Sequence, residues 1–238
     1  MKAIILASGI GSRLMPLTES IPKCLARLNG KTILDFQIEF LVNCGIKKII
    51  ITTGHLEEKI KEHMKAKYPD IEAVYVYNPE YRNTNYIYSL WLAKDFIDDD
   101  ALLLHSDLVF DESLLKRAIM SSSDCVLVNN KIKPPEKDFK ALVENGMVKK
   151  IGVKVFGPNA FFCLPLYKCS RNYFMAWFSA MEEMIKKGGL KCYAEDAFNE
   201  FSGKLELRPV YFGDEFGMEI DDFEDLEKAR RHFAKIKA

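Results

Sequence analysis

Two spacings of apolar residues alternate along the first half of the chain. Lys2–Ala7 is a short, continuous apolar run, the pattern of a strand covered on both faces. Over Thr32–Cys44 the spacing becomes helical: Ile33, Leu34, Ile38, Leu41 and Val42 share one stripe, Asp35 supplies an early acid and Gly45 a stop. The alternation then repeats. Strands are expected over Ile46–Thr52, Glu72–Tyr77, Ala101–His105 and Asp124–Val128, with helices over Leu56–Lys67, Asn85–Phe96 and Glu112–Met120. Strands parted by helices imply βαβ crossovers and a mostly parallel sheet.

Beyond about residue 130 the pattern changes. Lys131–Asp138 carries Pro134-Pro135 and many charges and reads as a loop. Phe139–Glu144 and Met147–Val153 flank Asn145-Gly146, a strong hairpin signal. A strand is expected over Asn159–Leu164, a long helix over Leu166–Lys187 ended by Gly188-Gly189, and a helix from about Tyr193. Leu205–Val210 reads as a late strand, and Phe223–Ile236 as an amphipathic helix with basic residues near its end. No repeat or linker interrupts the chain. The expected fold is α/β: one domain, 1–238, with a Rossmann-like half over 1–130 and a mixed half over 131–238 that closes over it.

Composition narrows the function. With 34 Lys+Arg and 34 Asp+Glu the formal net charge is zero, which excludes a general nucleic-acid binder relying on basic excess. Hydrophobic residues at 48% suffice for a core, so a disordered chain is excluded. No stretch approaches the roughly 18 apolar residues of a membrane span. The apolar run after Met1-Lys2 is too short for a secretory signal. Six cysteines, without any C-x-x-C pair, read as free thiols in a reducing compartment. A cytoplasmic location is expected.

The most informative stretch is Leu6–Lys23, LASGIGSRLMPLTESIPK, which follows the first strand, where α/β sheets bind ligands. Gly9 and Gly11 let backbone amides approach anionic oxygens, and Arg13 and Lys23 bring positive charge to the same anion. The loop is neither a Walker A motif, since no G-K-[S/T] closes it, nor G-x-G-x-x-G, since Leu14 stands third after Gly11. A tight surface loop with solvated charges is the alternative for a bare Gly-x-Gly. Asp107 stands just past the strand Ala101–His105, and Asp221 follows Ile220. A turn or cap explains a lone Asp at such a place; paired carboxylates beside a bound anion also suit Mg²⁺.

This loop resembles the signature of the nucleotidyltransferase superfamily, which couples nucleoside triphosphates to phosphorylated small molecules. Asn78–Leu92 (NPEYRNTNYIYSLWL), His105–Asp111 (HSDLVFD) and Glu219–Asp222 (EIDD) resemble its phosphocholine and 2-aminoethylphosphonate cytidylyltransferases. The resemblance implies a Rossmann-like three-layer nucleotidyltransferase fold, with 1–130 binding nucleotide and 131–238 binding acceptor. It implies CTP as substrate, held by Leu6, Ala7, Ser8, Gly9, Gly11 and Ser12, with Arg13 and Lys23 as catalytic charges. Asp107 and Asp221 would bind Mg²⁺, with Asp222 an alternative to Asp221. Asn85 and Ser89 fall where the family borders the base, although Asn85 equally suits a helix cap.

For the acceptor, Lys154 matches the superfamily's phosphate-binding lysine, and Glu195 and Asp196 offer charge to a primary ammonium; an exposed lysine and a solvated acidic face are the alternatives. Where phosphocholine members carry a cage aromatic, this chain has Asp138-Phe139, which leaves a complete choline cage open. Tyr86, Tyr88 and Trp91 read as core, and the four histidines as surface or packing residues. The implied partners are small molecules: CTP and a phosphorylated or phosphonylated amine or amino acid. Neither nucleic acid nor membrane is expected, and a homodimer is compatible with the resemblance. Products of this kind decorate capsules, surface polysaccharides or lipids. Rival readings are a sugar-1-phosphate nucleotidyltransferase, although the sugar-phosphate Glu-Lys-Pro motif is missing, and a non-catalytic nucleotide-binding module.

Overall fold

The structure, a computed structural model, describes residues 1–235; of the expected helix Phe223–Ile236, Ile236 lies outside the described residues. The chain runs β1 (Lys2–Ala7), α1 (Leu17–Ser20), the ribbon β2 (Arg27–Leu28) and β3 (Lys31–Thr32), α2 (Ile33–Asn43), β4 (Lys48–Thr53) and α3 (Glu57–Lys67). It continues with β5 (Glu72–Tyr77), α4 (Tyr86–Leu92), β6 (Ala101–His105), β7 (Leu108–Phe110), α5 (Glu112–Met120), β8 (Cys125–Asn129), and the hairpin β9 (Lys140–Glu144) and β10 (Met147–Gly152). Last come β11 (Ala160–Cys169), α6 (Arg171–Lys186), α7 (Ala194–Phe201), β12 (Arg208–Phe212), β13 (Gly217–Glu219) and α8 (Phe223–Lys235).

Nine strands among the described residues form one mixed sheet. Its parallel block is β5-β4-β1-β6, the βαβ product of the first half. β11 lies antiparallel to β6 over Leu166–Cys169, to β9 over 160–162 and to β8 over 162–168, while β12 runs parallel to β8. Alternate residues of β1 face opposite layers, because side chains of a strand alternate. Ile4 and Leu6 pack with α4, α6 and α7, whereas Ala3, Ile5 and Ala7 pack with α2, α3 and α5. A third cluster, including Leu14, Ile33, Ile220 and Phe233, seats the loop after β1 against α8.

Local chemistry sets the boundaries. Thr32 and Asp35 form a reciprocal capping box that starts α2, with bonds of 3.0 and 2.8 Å. Asn145 and Gly146 take positive φ at the tip of the β9–β10 hairpin. The helix expected over Leu166–Lys187 divides. Leu166–Cys169 complete β11, and Ser170 caps α6 by accepting from the Tyr173 amide at 3.2 Å. Pro165 falls where the register with β8 shifts, between Leu164 and Tyr167, a place that tolerates a missing N–H. The helix expected over Asn85–Phe96 ends at Leu92 and resumes as a single 3₁₀ turn, Lys94–Phe96. The strand expected over Leu205–Val210 is Arg208–Phe212. Sequence reasoning had no signal for the ribbon of β7 with β13, which pairs Leu108 with Glu219. Among the described residues no helix is long and apolar enough to cross a membrane.

Candidate functional site

β1 and β6 end side by side, Leu6 opposite His105, at the carboxyl edge of the parallel block. The loop leaving β1 turns at Gly11, whose φ is +70°. A Cβ there would stand 3.1 Å from Thr18 Cγ2 and 3.2 Å from Lys23 Cβ, so glycine alone lets the loop close on Lys23 without strain. The Thr18 hydroxyl donates to the Gly11 carbonyl at 2.9 Å.

Lys23 is the hub of the site. Its Nζ lies 2.5 Å from Asp107 Oδ2 and 3.4 Å from Asp221 Oδ1, and Arg13 meets the same Asp221 oxygen at 2.7 Å. Two devices position these carboxylates. Gln37 on α2 donates to the carbonyls of His105 and Leu108, at 2.9 and 2.8 Å, and fixes the turn that bears Asp107. The Ile220 amide donates to the Asp107 carbonyl at 3.0 Å, which brings Glu219 and Asp221 alongside. Burial acts to lower the basicity of Lys23, yet Asp107, Asp221 and Glu219 outweigh it, and Lys23 ends above its ordinary range. Burial likewise works against the Asp107 carboxylate, but Lys23 and His105 hold it below the usual value. Glu219 is pushed up to about 7, by burial first, against the hydrogen bond from His105, with Asp107 and Asp221 adding repulsion.

These groups open onto a cavity of about 390 Å³, the size of a small-ligand site. Leu6, Ala7, Ser8, Gly9, Gly11, Ser12, Arg13, Lys23, Asn85, Asp107 and Asp221 all line it. Asn85 also caps α4, its Oδ1 accepting from the Tyr86 amide at 2.8 Å. Four expected site residues do not reach the cavity. Ser89 is buried beneath the floor, bonded to the Ser8 hydroxyl at 2.7 Å and accepting from Asn78 at 2.9 Å, so it steadies the loop from below. Lys154 is exposed on the turn after β10, outside the lining. Glu195 is fully buried and accepts from the hydroxyls of Tyr86 and Tyr167. Asp196 closes the first turn of α7, accepting from the Tyr193 amide at 2.8 Å.

Sequence reasoning missed the opposite wall. Tyr86, Phe139, Tyr193 and His105 line it together with Glu219. Phe139 and Tyr193 meet edge to face at 5.1 Å, and Tyr86 packs on Tyr193 at 5.7 Å and on His105 at 4.7 Å. His105 is thus part of the site rather than a bystander, with Nδ1 3.0 Å from Glu219 Oε1. Burial acts to lower its basicity, but Glu219 outweighs this and raises it. Lys137 at the rim pairs with Asp222 at 3.0 Å and Asp225 at 2.6 Å. Sequence touched this wall at Asp138-Phe139, set against the family's cage aromatic, and at His105 and Glu219, which open the HSDLVFD and EIDD segments, without giving His105 or Glu219 a role.

The acidic groups also suit a cation. Ligand-type atoms of His105, Asp107 and Glu219 lie within 4.8 Å of one another, and Asp221 joins them through Lys23. Asp107 Oδ1 is buried and accepts no hydrogen bond. A free carboxylate oxygen with two further carboxylates beside it fits a hard divalent cation.

Residues 2–140 match the family model described as Nucleotidyl transferase, which takes in more than half of the chain. Among curated relatives, CTP:phosphoglutamine cytidylyltransferase of Campylobacter jejuni is 33% identical over 170 residues, 65% of this chain and 66% of that protein. The match thus spans just under two thirds of the relative's length. D-glycero-alpha-D-manno-heptose 1-phosphate guanylyltransferase of the same organism is 28% identical over 216 residues, 91% of this chain and 93% of that one. In fold, the chain matches the solved CTP:phosphocholine cytidylyltransferase of Streptococcus pneumoniae with a TM-score of 0.81, over 98% of each chain at 24% identity.

Proposed function

Because this chain belongs to the nucleotidyl transferase family, we propose that it is a CTP-dependent cytidylyltransferase. It would join CMP to a small phosphorylated or phosphonylated amine or amino acid and release pyrophosphate. The observation that carries this reading is Lys23 Nζ, 2.5 Å from Asp107 and 3.4 Å from Asp221 beneath the glycine loop. The loop amides from Ser8 to Ser12 face the triphosphate, and Arg13 and Lys23 stabilise the charge that builds on the α-phosphate and the departing pyrophosphate. An acceptor oxygen attacks the α-phosphorus in line; the new P–O bond forms as the α–β bridging bond breaks, and pyrophosphate leaves with the electron pair. No covalent enzyme intermediate is needed, since positioning and charge neutralisation suffice.

Asp107 and Asp221, with Glu219 beside them, are the residues to hold Mg²⁺, which when bound supplies positive charge to the phosphate oxygens. Lys137, the third lysine or arginine on the lining, takes over from Lys154 as the group for the acceptor phosphate. Phe139, Tyr193 and Tyr86, with Glu219 behind them, suit a cationic head by cation–π attraction and charge. The name of the C. jejuni phosphoglutamine relative supports CTP as the nucleotide. Consumption of CTP suits a cytoplasmic location.

A sugar 1-phosphate acceptor is the second reading, favoured by the nearly full-length match to the heptose 1-phosphate enzyme. Against it, the wall opposite the loop is three aromatic rings and a carboxylate, an environment for positive charge. Pyrophosphate release with CTP, UTP, ATP and GTP plus Mg²⁺, each against amine phosphates, phosphonates and sugar 1-phosphates, separates the two. Release with CTP and an amine-bearing acceptor is expected. Faster release with a sugar 1-phosphate would replace the first reading by the second.

A further inference from the structure

We propose that Lys140 is a positioning residue for the acceptor side of the cavity, a buried ammonium that staples two loops together and so fixes Lys137 and Phe139 where the acceptor binds. The inference rests on the cytidylyltransferase reading, which gives Lys137 to the acceptor phosphate and Phe139 to the cationic head. Lys140 is not itself on the cavity lining. It acts through its neighbours.

The loop before β9 needs such a hold. Lys131–Asp138 forms neither helix nor strand, and its Pro134 and Pro135 donate no backbone N–H. Alternation into the strand sends Phe139, Ala141 and Val143 to the core and Lys140 to the other face, where a lysine ordinarily meets water. Here it is only 4% exposed. Its Nζ donates to the carbonyls of Glu136 at 2.8 Å, Asp138 at 2.9 Å and Val153 at 2.9 Å. Burial lowers its basicity, with Asp138 and Glu136 acting the other way. Three carbonyls can only accept, so together they take up all three protons of the ammonium. Nζ also lies 5.6 Å from the centre of the exposed Phe156 ring, within cation–π range.

The places of the three acceptors give the staple its meaning. Glu136 and Asp138 flank Lys137, so one ammonium grips the backbone on both sides of it. Val153 lies just past the end of β10, whose Gly152 pairs with Lys140 across the hairpin. Val153, Lys137 and Phe139 all line the cavity. Asp222 and Asp225 hold the Lys137 side chain, at 3.0 and 2.6 Å, while the Phe139 carbonyl accepts from the Cys163 amide at 2.9 Å. Residues 136–139 are thus held by Lys140, β11 and the start of α8 together. None of the three Nζ bonds reaches the glycine loop, Lys23, Asp107 or Asp221. Loss of the staple should therefore reach the acceptor and spare the nucleotide.

The test takes the acceptor that releases pyrophosphate fastest in the assay proposed above, with kcat and KM measured at saturating CTP and CTP binding measured by calorimetry. Lys140→Met keeps the length of the side chain and removes its donors. Its kcat/KM for the acceptor should fall about 10²-fold, mainly through KM, while the Kd for CTP moves by less than about 2-fold. Because Lys140 acts largely through Lys137, adding Lys140→Met to Lys137→Ala should cost the acceptor at most about 10-fold more. Lys140→Arg keeps the charge but spreads its donors over a planar fork; it carries the test should Lys140→Met not fold, and should show the same split in smaller measure. Folded variants with unchanged acceptor kinetics, equal losses for CTP and acceptor, or full additivity with Lys137→Ala overturn the inference and leave the cytidylyltransferase reading standing. Wild-type protein that turns over no acceptor overturns both.

Discussion

Lys23 touches two carboxylates and faces the cavity with little freedom to move, so its charge is fixed in place before any substrate arrives. Such preorganised charge is where catalytic contributions concentrate. Lys23→Ala is expected to lower kcat about 10²–10³-fold while circular dichroism shows the fold retained; near-normal pyrophosphate release from this variant would remove Lys23 from the machinery. At this scale the glycine loop was the legible part. Gly9, Gly11, Arg13 and Lys23 stand within one short segment, and their chemistry follows from type and spacing. Tyr193 gave no such signal, and His105 and Phe139 entered only through the resemblance, because each is an ordinary residue in its own segment. They acquire meaning only when chain folding gathers them against Glu219.

Between elements, Asp35 shows how a helix start can fasten its neighbours. Its carboxylate caps α2 and accepts from His63 and Tyr68 at 2.8 Å each, while Lys67 pairs with it at 2.6 Å, so α2 and the end of α3 meet on one buried charge. Burial acts to raise this carboxyl, but His63, Lys67, the Thr32 amide and Tyr68 outweigh it and hold it well below the usual range. A depressed folded pKa stabilises above the unfolded value, roughly 3.9, and that stabilisation drains away as pH falls further. Asp35→Asn should therefore cost about 2 kcal/mol at neutral pH, and should flatten the decline of Tm below about pH 4. Thermal melts of both proteins across that range check it. The sequence announced α2 through Thr32, Asp35 and its apolar stripe. It misled over Leu166–Cys169, whose apolar run suits strand and helix alike until Ser170 supplies a cap. The β7–β13 ribbon was invisible, since three-residue strands far apart in the chain have no period of their own.

The whole molecule binds with groups from distant segments: 6–24, 81–86, 105–107, 137–139, 193 and 219–221 each contribute residues to the lining of one cavity. A ligand there holds both ends of the chain and stabilises the fold as a unit. At about 100 times its Kd, CTP with Mg²⁺ should add about 2.7 kcal/mol, or roughly 5–10 °C in Tm. Chelating the metal should abolish most of that rise; an unchanged rise would argue against metal at the carboxylates. Scale also changes the meaning of β11. This one strand hydrogen-bonds β6 of the first half and both β8 and β9, and it is buried from Phe162 to Cys169. A polypeptide stopping near residue 130 would leave β6 with an open edge and β8 with neither of its strand partners, inviting association with other chains rather than yielding a nucleotide-binding fragment. The amides of β11 should accordingly be among the slowest to exchange with deuterium, opening only when the entire sheet comes apart.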